Sequence, residues 1–186
     1  VLAATSLFVS RGFDGTSFEA IAKEANVSPN TIYTWFGGKV GLFAAVMERM
    51  GHDNCEGLTE ALDPSAALEM ALAEFGRRLL DIVTAPDVVG LQRAVIAEAQ
   101  NLPDIAATFY SAGPMRAITM LISYMESKSI PQPLRAAEIF MCLAGGELVR
   151  RTLLCIDPPP TDAEKAANVA FAVRSVLLHA TNIHAD

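Results

Sequence analysis

Three features of the sequence predict an all-α fold. Ala, Leu, Met and Glu are abundant among its 186 residues, and runs of strictly alternating polarity of the kind strands need do not occur. Apolar residues instead recur with a helical period along almost the whole chain. Proline-bearing breaks at Ala85-Pro86-Asp87, Leu102-Pro103-Asp104, Ile130-Pro131 and Asp157-Pro158-Pro159-Pro160 then cut that pattern into helix-sized pieces, because Pro stops a preceding helix and Asp favours the next start. With 52% apolar residues the chain can bury a substantial core.

The first helix is expected to end near Arg11, where Gly12 supplies a left-handed cap, with Ala4, Leu7, Phe8 and Arg11 along one face. A second follows at once. In "TSFE" the Thr16 hydroxyl can accept from the amide of Glu19 while Glu19 reaches back, a capping box, and Phe18, Ile21, Ala22 and Ala25 form the apolar stripe behind it. Only Asn26, Val27 and Ser28 separate this helix from the next, so the chain must turn sharply, with Val27 expected to plug the elbow. Ser28 is a good N-cap and Pro29 suits the first helical position. Two helices joined by so short an elbow, beside a supporting first helix, make a helix-turn-helix unit.

The stretch "SPNTIYTWFGGK" explains what that unit is for. At about 100° per residue, with Ile32 at zero, Phe36 lies near 40° and Trp35 near 300°, whereas Tyr33 falls near 100°, Asn30 near 160°, Thr34 near 200° and Thr31 near 260°. Ile32 and Phe36 therefore dock the helix, and Asn30, Thr31, Tyr33 and Thr34 face outward. Short hydrogen-bonding side chains on a protruding helix, followed by Lys39, suit base edges in a major groove with phosphates on either wall. Ser28, at the cap, is counted with this DNA-facing set.

At these residues the sequence resembles the tetracycline-repressor (TetR) family of bacterial transcriptional regulators. The resemblance covers "AATSLFVSRGFDGTSFEAIAKEANVSPNTIYTWFGGKVGLFAAV", residues 3–46. It implies that Thr16, Ser17, Tyr33 and Lys39 hold phosphates and that Pro29, Asn30, Thr31 and Thr34 meet bases or the groove wall. Trp35 stands where the family often has His or Tyr, and Gly37-Gly38 replaces a more usual Pro-Ser or Gly-Ser pair. The implied architecture is a helix-turn-helix DNA-binding domain over 1–46 joined to a helical effector-binding and dimerisation domain over 47–186.

In the larger part, a long helix from Val40 is expected to be followed by helices over about 65–83, 88–101, 104–127, 133–154 and 162–179, with Gly113-Pro114 kinking one of them. "LQRAVIAEAQNLPDIAATFYSAGP" resembles the ligand-binding half of AefR-like regulators. Phe75, Phe109, Tyr110, Met120, Tyr124, Phe140 and Met141 supply adaptable apolar surface for an effector, and Arg93 a polar anchor. The last two helices resemble the family's dimerisation element. Ala144, Gly145 and Gly146 allow close helix approach, and "VAFAVRSVLLHA" is apolar on more faces than one subunit's core requires. A twofold dimer would suit a palindromic operator with half-sites about 34 Å apart. The family mechanism implied is release of DNA when a small, largely apolar effector shifts helix 4, most often as a repressor.

Composition narrows the alternatives. A net charge of −7 argues against sequence-independent affinity for nucleic acid or an anionic membrane, but the excess is uneven. Residues 1–50 balance Arg11, Lys23, Lys39 and Arg49 against Asp14, Glu19, Glu24 and Glu48. Cys55, Cys142 and Cys155 form no Cys-x-x-Cys pair and suit buried thiols in a reducing, cytoplasmic setting. No apolar run approaches the roughly 18 residues of a membrane span. His52, His179 and His184 are dispersed, and no hydrolase, zinc or phosphate-loop motif occurs, so neither an enzyme, a metal site nor a cofactor is expected. The rival reading is a helical small-molecule-binding or redox-sensing protein that does not act through DNA.

Overall fold

The computed structural model describes residues 1–156 and 158–182; Asp157 of the last proline-bearing break and His184 lie outside the described residues. The helices are α1 (Leu2–Arg11), α2 (Phe18–Glu24), α3 (Pro29–Phe36), α4 (Lys39–Ala61), α5 (Leu68–Val83), α6 (Pro86–Glu98), α7 (Pro103–Ala112), α8 (Pro114–Ser127), α9 (Pro133–Leu153) and α10 (Asp162–Asn182). No strand occurs among the described residues. Gly113-Pro114 separates α7 from α8 instead of kinking a single helix: Gly113 leaves helical geometry at φ −116°, ψ −83°. Pro114 then starts afresh at a first helical position, where its missing donor costs nothing.

The helices form two compact units whose boundaries differ from the expected division at residue 46. The first comprises residues 1–54 and 86–114, the second 55–85 and 115–186. Helix α4 contributes residues to both.

In the first unit Ala4, Leu7 and Phe8 of α1, Ile21 and Ala22 of α2, Ile32 of α3 and Leu42, Phe43, Val46 and Met47 of α4 share one core. Leu91, Ala94 and Val95 of α6 and Ile105 of α7 complete it. Helices α4 and α7 approach closely at Gly51. A Cβ built there would stand 2.3 Å from the backbone oxygen of Ala112, so only glycine lets α4 and the end of α7 meet.

In the second unit α10 packs along α9 and across α5. Its core joins Leu72, Phe75, Leu79 and Leu80 of α5 with Leu121 and Met125 of α8, Ala136, Phe140 and Leu148 of α9, and Val169, Val173 and Val176 of α10. Charged side chains tie its rim. Arg78 donates to the Glu74 carboxylate (2.6 Å), to the Gly57 carbonyl (2.6 Å) and to Glu60 (2.9 Å), fastening α5 to the last turns of α4. Asp81 bridges Arg77 on α5 and Lys165 on α10, each at 3.0 Å.

Hydrogen bonds from Arg77 and Arg78 pull the Glu74 carboxyl down to about 2. A group whose pKa is depressed on folding stabilises the protein above its ordinary range and loses that effect as pH falls through the folded value. Urea unfolding should therefore show Glu74→Gln less stable than wild type at pH 7, and the gap should close between about pH 4 and pH 2. Because the Glu74 side chain is more than a third exposed, the gap at pH 7 should stay under about 1 kcal/mol.

Candidate nucleic-acid interface

Helix α3 is only eight residues long and is held at both ends. Its N-terminus is closed by Ser28, whose Oγ accepts from the Thr31 amide at 3.0 Å and shares a 2.8 Å hydrogen bond with the Thr31 hydroxyl. At the other end Gly37 adopts the left-handed conformation (φ 70°, ψ 3°), and its N–H donates to the Tyr33 carbonyl at 2.8 Å. Ile32 is buried and Phe36 packs against the core, as the helical wheel requires. Pro29, Asn30, Thr31, Tyr33 and Thr34 are all exposed, Tyr33 to 62%. Thr34 Oγ1 donates back to the Asn30 carbonyl at 2.8 Å, which fixes its rotamer and leaves its oxygen able to accept.

The turn into α3 departs from expectation. Val27 does not plug the elbow; it is 42% exposed. The turn is made instead by Asn26 at φ 53°, with the Val27 amide donating to Ala22 O (3.0 Å) and the Asn26 amide to Lys23 O (3.2 Å), a Schellman motif on a non-glycine residue. The geometry of the backbone sets the elbow, and no apolar plug is needed.

The start of α2 also differs. Ser17 is the N-cap, accepting from the Ala20 amide at 3.1 Å. Thr16, expected to cap with Glu19 and to hold a phosphate, is fully buried, with its hydroxyl between the carbonyls of Gly12 (2.8 Å) and Leu7 (3.1 Å). A side chain so placed cannot reach a phosphate; it fastens the chain leaving α1 to the body of that helix. Gly12 has the positive φ expected of it (72°) but an extended ψ of 179°, so it turns the chain without closing a left-handed cap. Ser17 keeps an exposed side chain at the start of α2.

Lys39 opens α4, its ammonium 4.3 Å from the centroid of the Phe13 ring. That cation–π contact holds a half-buried side chain whose charge stays at the surface. Trp35, given no firm role by the helical wheel, is 79% exposed beside this set.

The candidate effector residues divide between the units. Phe75 and Phe140 are fully buried partners in the second core, with ring centroids 6.1 Å apart. Tyr124 is buried beside them, its hydroxyl 3.4 Å from the Asp63 carbonyl, and Met120 and Met141 pack partly buried against the same core. Arg93, Phe109 and Tyr110 belong to the first unit, where Phe109 packs against the core and Arg93 and Tyr110 are exposed. No described helix is long and apolar enough to cross a membrane.

Residues 1–46 match the model of bacterial regulatory proteins of the tetR family, and residues 70–179 that of the AefR-like transcriptional repressor C-terminal domain. The HTH-type transcriptional activator FasR of Mycolicibacterium smegmatis is 32% identical over 104 residues, covering 47% of this chain and 48% of FasR. The matched part thus spans about half the length of that relative. Among solved structures, the flavonoid-responsive regulator FrrA is 31% identical with a TM-score of 0.76, over 95% of this chain and 92% of FrrA. A TetR-family regulator from Mesorhizobium loti is 24% identical with a TM-score of 0.88, over 95% and 92% of the two chains, a likeness of fold.

The burial of Thr16 separates a structural role from a DNA contact. Thr16→Val should lower stability in urea by about 1–3 kcal/mol, as loss of a buried hydrogen-bonded hydroxyl does. The same variant, once folded, should keep the salt dependence of DNA binding unchanged.

Proposed function

The chain belongs to the TetR family of bacterial regulatory proteins, and from that premise we propose that it is a ligand-responsive, DNA-binding transcriptional regulator of the cytoplasm. As a homodimer it holds a palindromic operator, and as a repressor it is released by a small, largely apolar effector. The observation that carries this reading is α3 itself, a helix capped at both ends, docked by Ile32 and Phe36, with Asn30, Thr31, Tyr33 and Thr34 turned outward. Short side chains read base edges from such a helix, while Ser17, Tyr33 and Lys39 reach phosphates on the walls.

Dimerisation through α9 and α10 is supported by an apolar stripe the core does not use. Val169, Ala172, Val173 and Val176 of α10 face the core, whereas Phe171 and Leu178 are 52% and 62% exposed. On α9, Ala144 and Gly145 are buried within the subunit, and Gly146 is exposed with no atom within 4 Å of a built Cβ. The effector is taken up by the second unit among Phe75, Met120, Tyr124, Phe140 and Met141, with methionines able to repack around it. The flavonoid responsiveness in FrrA's name supports an aromatic, largely apolar compound. Helix α4 carries the response, since Leu42, Phe43, Val46 and Met47 belong to the first core and Leu58 and Ala61 to the second. Switching from 1:99 to 99:1 would require about 5.5 kcal/mol of differential effector binding.

A gel shift on the intergenic DNA upstream of the protein's own reading frame tests the DNA reading. Wild type should give a saturable shift, and Tyr33→Ala and Thr34→Ala should each weaken it about tenfold or more; equal binding by all three would overturn it. Gly146→Ala tests the interface. In an isolated subunit the added methyl should raise helix stability by about 0.5–1 kcal/mol, whereas at a close-packed dimer seam it should shift sedimentation toward monomer. An unchanged or tighter dimer would remove α9 from the seam.

A further inference from the structure

We infer that α4 is hinged at its centre, over residues 52–57, so that the first unit turns on the second through a bend in this helix. The part this plays in regulation rests on the reading of α4 as the carrier of the effector response. Composition is the first ground. Across the middle of the 23-residue helix runs Gly51-His52-Asp53-Asn54-Cys55-Glu56-Gly57, and every member but Glu56 belongs to the weaker half of the helix-propensity ranking. A run of this kind persists as helix only where packing holds it.

Packing holds the two ends of α4 and leaves its centre. Leu42, Phe43, Val46 and Met47 bind the N-terminal half into the first core, with Met50 packed against it, and Leu58 and Ala61 bind the last turns into the second. Between Met50 and Leu58 no side chain belongs to either core; His52, Asp53 and Glu56 are exposed and Asn54, Cys55 and Gly57 half-buried. The Arg49–Asp53 pair, at 3.4 Å, has both side chains more than half exposed, the kind of pair that holds little. Both edges of the stretch are fixed. Gly51 is pressed against the Ala112 carbonyl, and Arg78 donates to the Gly57 carbonyl at 2.6 Å and to Glu60 at 2.9 Å. The Arg78 bond, and one from Thr59 Oγ1 to the Cys55 carbonyl at 3.0 Å, draw on carbonyls that the helix ladder also uses, an arrangement at which helices bend.

Topology is the third ground. The chain passes between the units three times, at 54–55, 85–86 and 114–115. At the second passage α5 has ended at Val83 and α6 starts at Pro86; at the third Gly113 has just left helical geometry and α8 starts at Pro114. Both are breaks between helices, and α4 alone crosses as continuous helix. Resistance to a turn of one unit on the other is therefore concentrated at the centre of α4, where the residues resist bending least.

Hydrogen–deuterium exchange of the full-length protein, read by mass spectrometry, tests this. In a helix without a hinge the central amides exchange slowest; here the amides of residues 53–58 should exchange about tenfold or more faster than those of residues 43–49. Gly57→Ala adds a methyl that meets no neighbouring element within 4 Å, and it should slow the central amides about two- to fivefold while leaving residues 43–49 unchanged. Adding Asn54→Ala should slow them further. In the wild type, saturation with the upstream intergenic duplex should also slow them, since a held first unit limits the bend. Central amides as slow as those of residues 43–49, or rates indifferent to Gly57→Ala, would overturn the hinge. Fast central amides indifferent to bound DNA would overturn its part in regulation. A wild-type protein that does not bind the duplex would overturn the regulatory reading instead, while the rates in the free protein still decide the hinge.

Discussion

Phe8, Phe13 and Phe43 meet face and edge at the centre of the first unit, with ring centroids 4.7 Å apart for Phe8–Phe43, 5.1 Å for Phe13–Phe43 and 5.9 Å for Phe8–Phe13. One ring comes from α1, one from the chain leaving it and one from α4, so this contact fixes three segments at once. Aromatic pairs of this geometry add about 0.5–1.5 kcal/mol each beyond the area they bury. Helices α2 and α3, of seven and eight residues, are too short to persist alone in water. They exist because Ile21, Ala22 and Ile32 find this cluster's surface to dock on. Lys39 over Phe13 brings a positive charge to the same cluster at the mouth of α4, so the group that organises the unit also positions a cation beside α3.

What was legible in the sequence was whatever local chemistry decides. Ser28-Pro29 announced the start of α3, and Ile32 with Phe36 announced its buried side; all four residues behave as read. Adjacent Thr16 and Ser17 were ambiguous, because either hydroxyl can cap and only the distant carbonyl of Leu7 chooses Thr16 for the interior. Asn26 hid the elbow for a similar reason: a left-handed asparagine is permitted but not demanded by its neighbours. Trp35 was placed on the margin of the wheel, where a rotation of a few tens of degrees decides between core and solvent.

Non-local packing was the larger blind spot. The periodicity of α6 and α7 says that one face is buried, yet nothing in it says against what, and their partners turn out to be α1 and α4. The small residues of α9 show the same limit at shorter range. "AGG" reads as one feature, but two of its members serve the subunit's own helix packing and the third faces out. The residues of the candidate effector set were equally mute about which unit they join, and three of the eight, Arg93, Phe109 and Tyr110, belong to the first.

That Leu91, Ala94, Val95 and Ile105 close over Leu42, Phe43, Val46 and Met47 has a consequence for how such proteins diversify. The first unit is assembled from two stretches separated by α5, so a single crossover after residue 46 would leave a receiving chain with an unmatched lid over its aromatic core. If α3 reads the operator as proposed, point changes on its outward side alter none of these core contacts, whereas exchange of whole modules does. Recombination would have to carry α6 and α7 along with the reading helix, or draw them from a lineage whose side-chain volumes already agree.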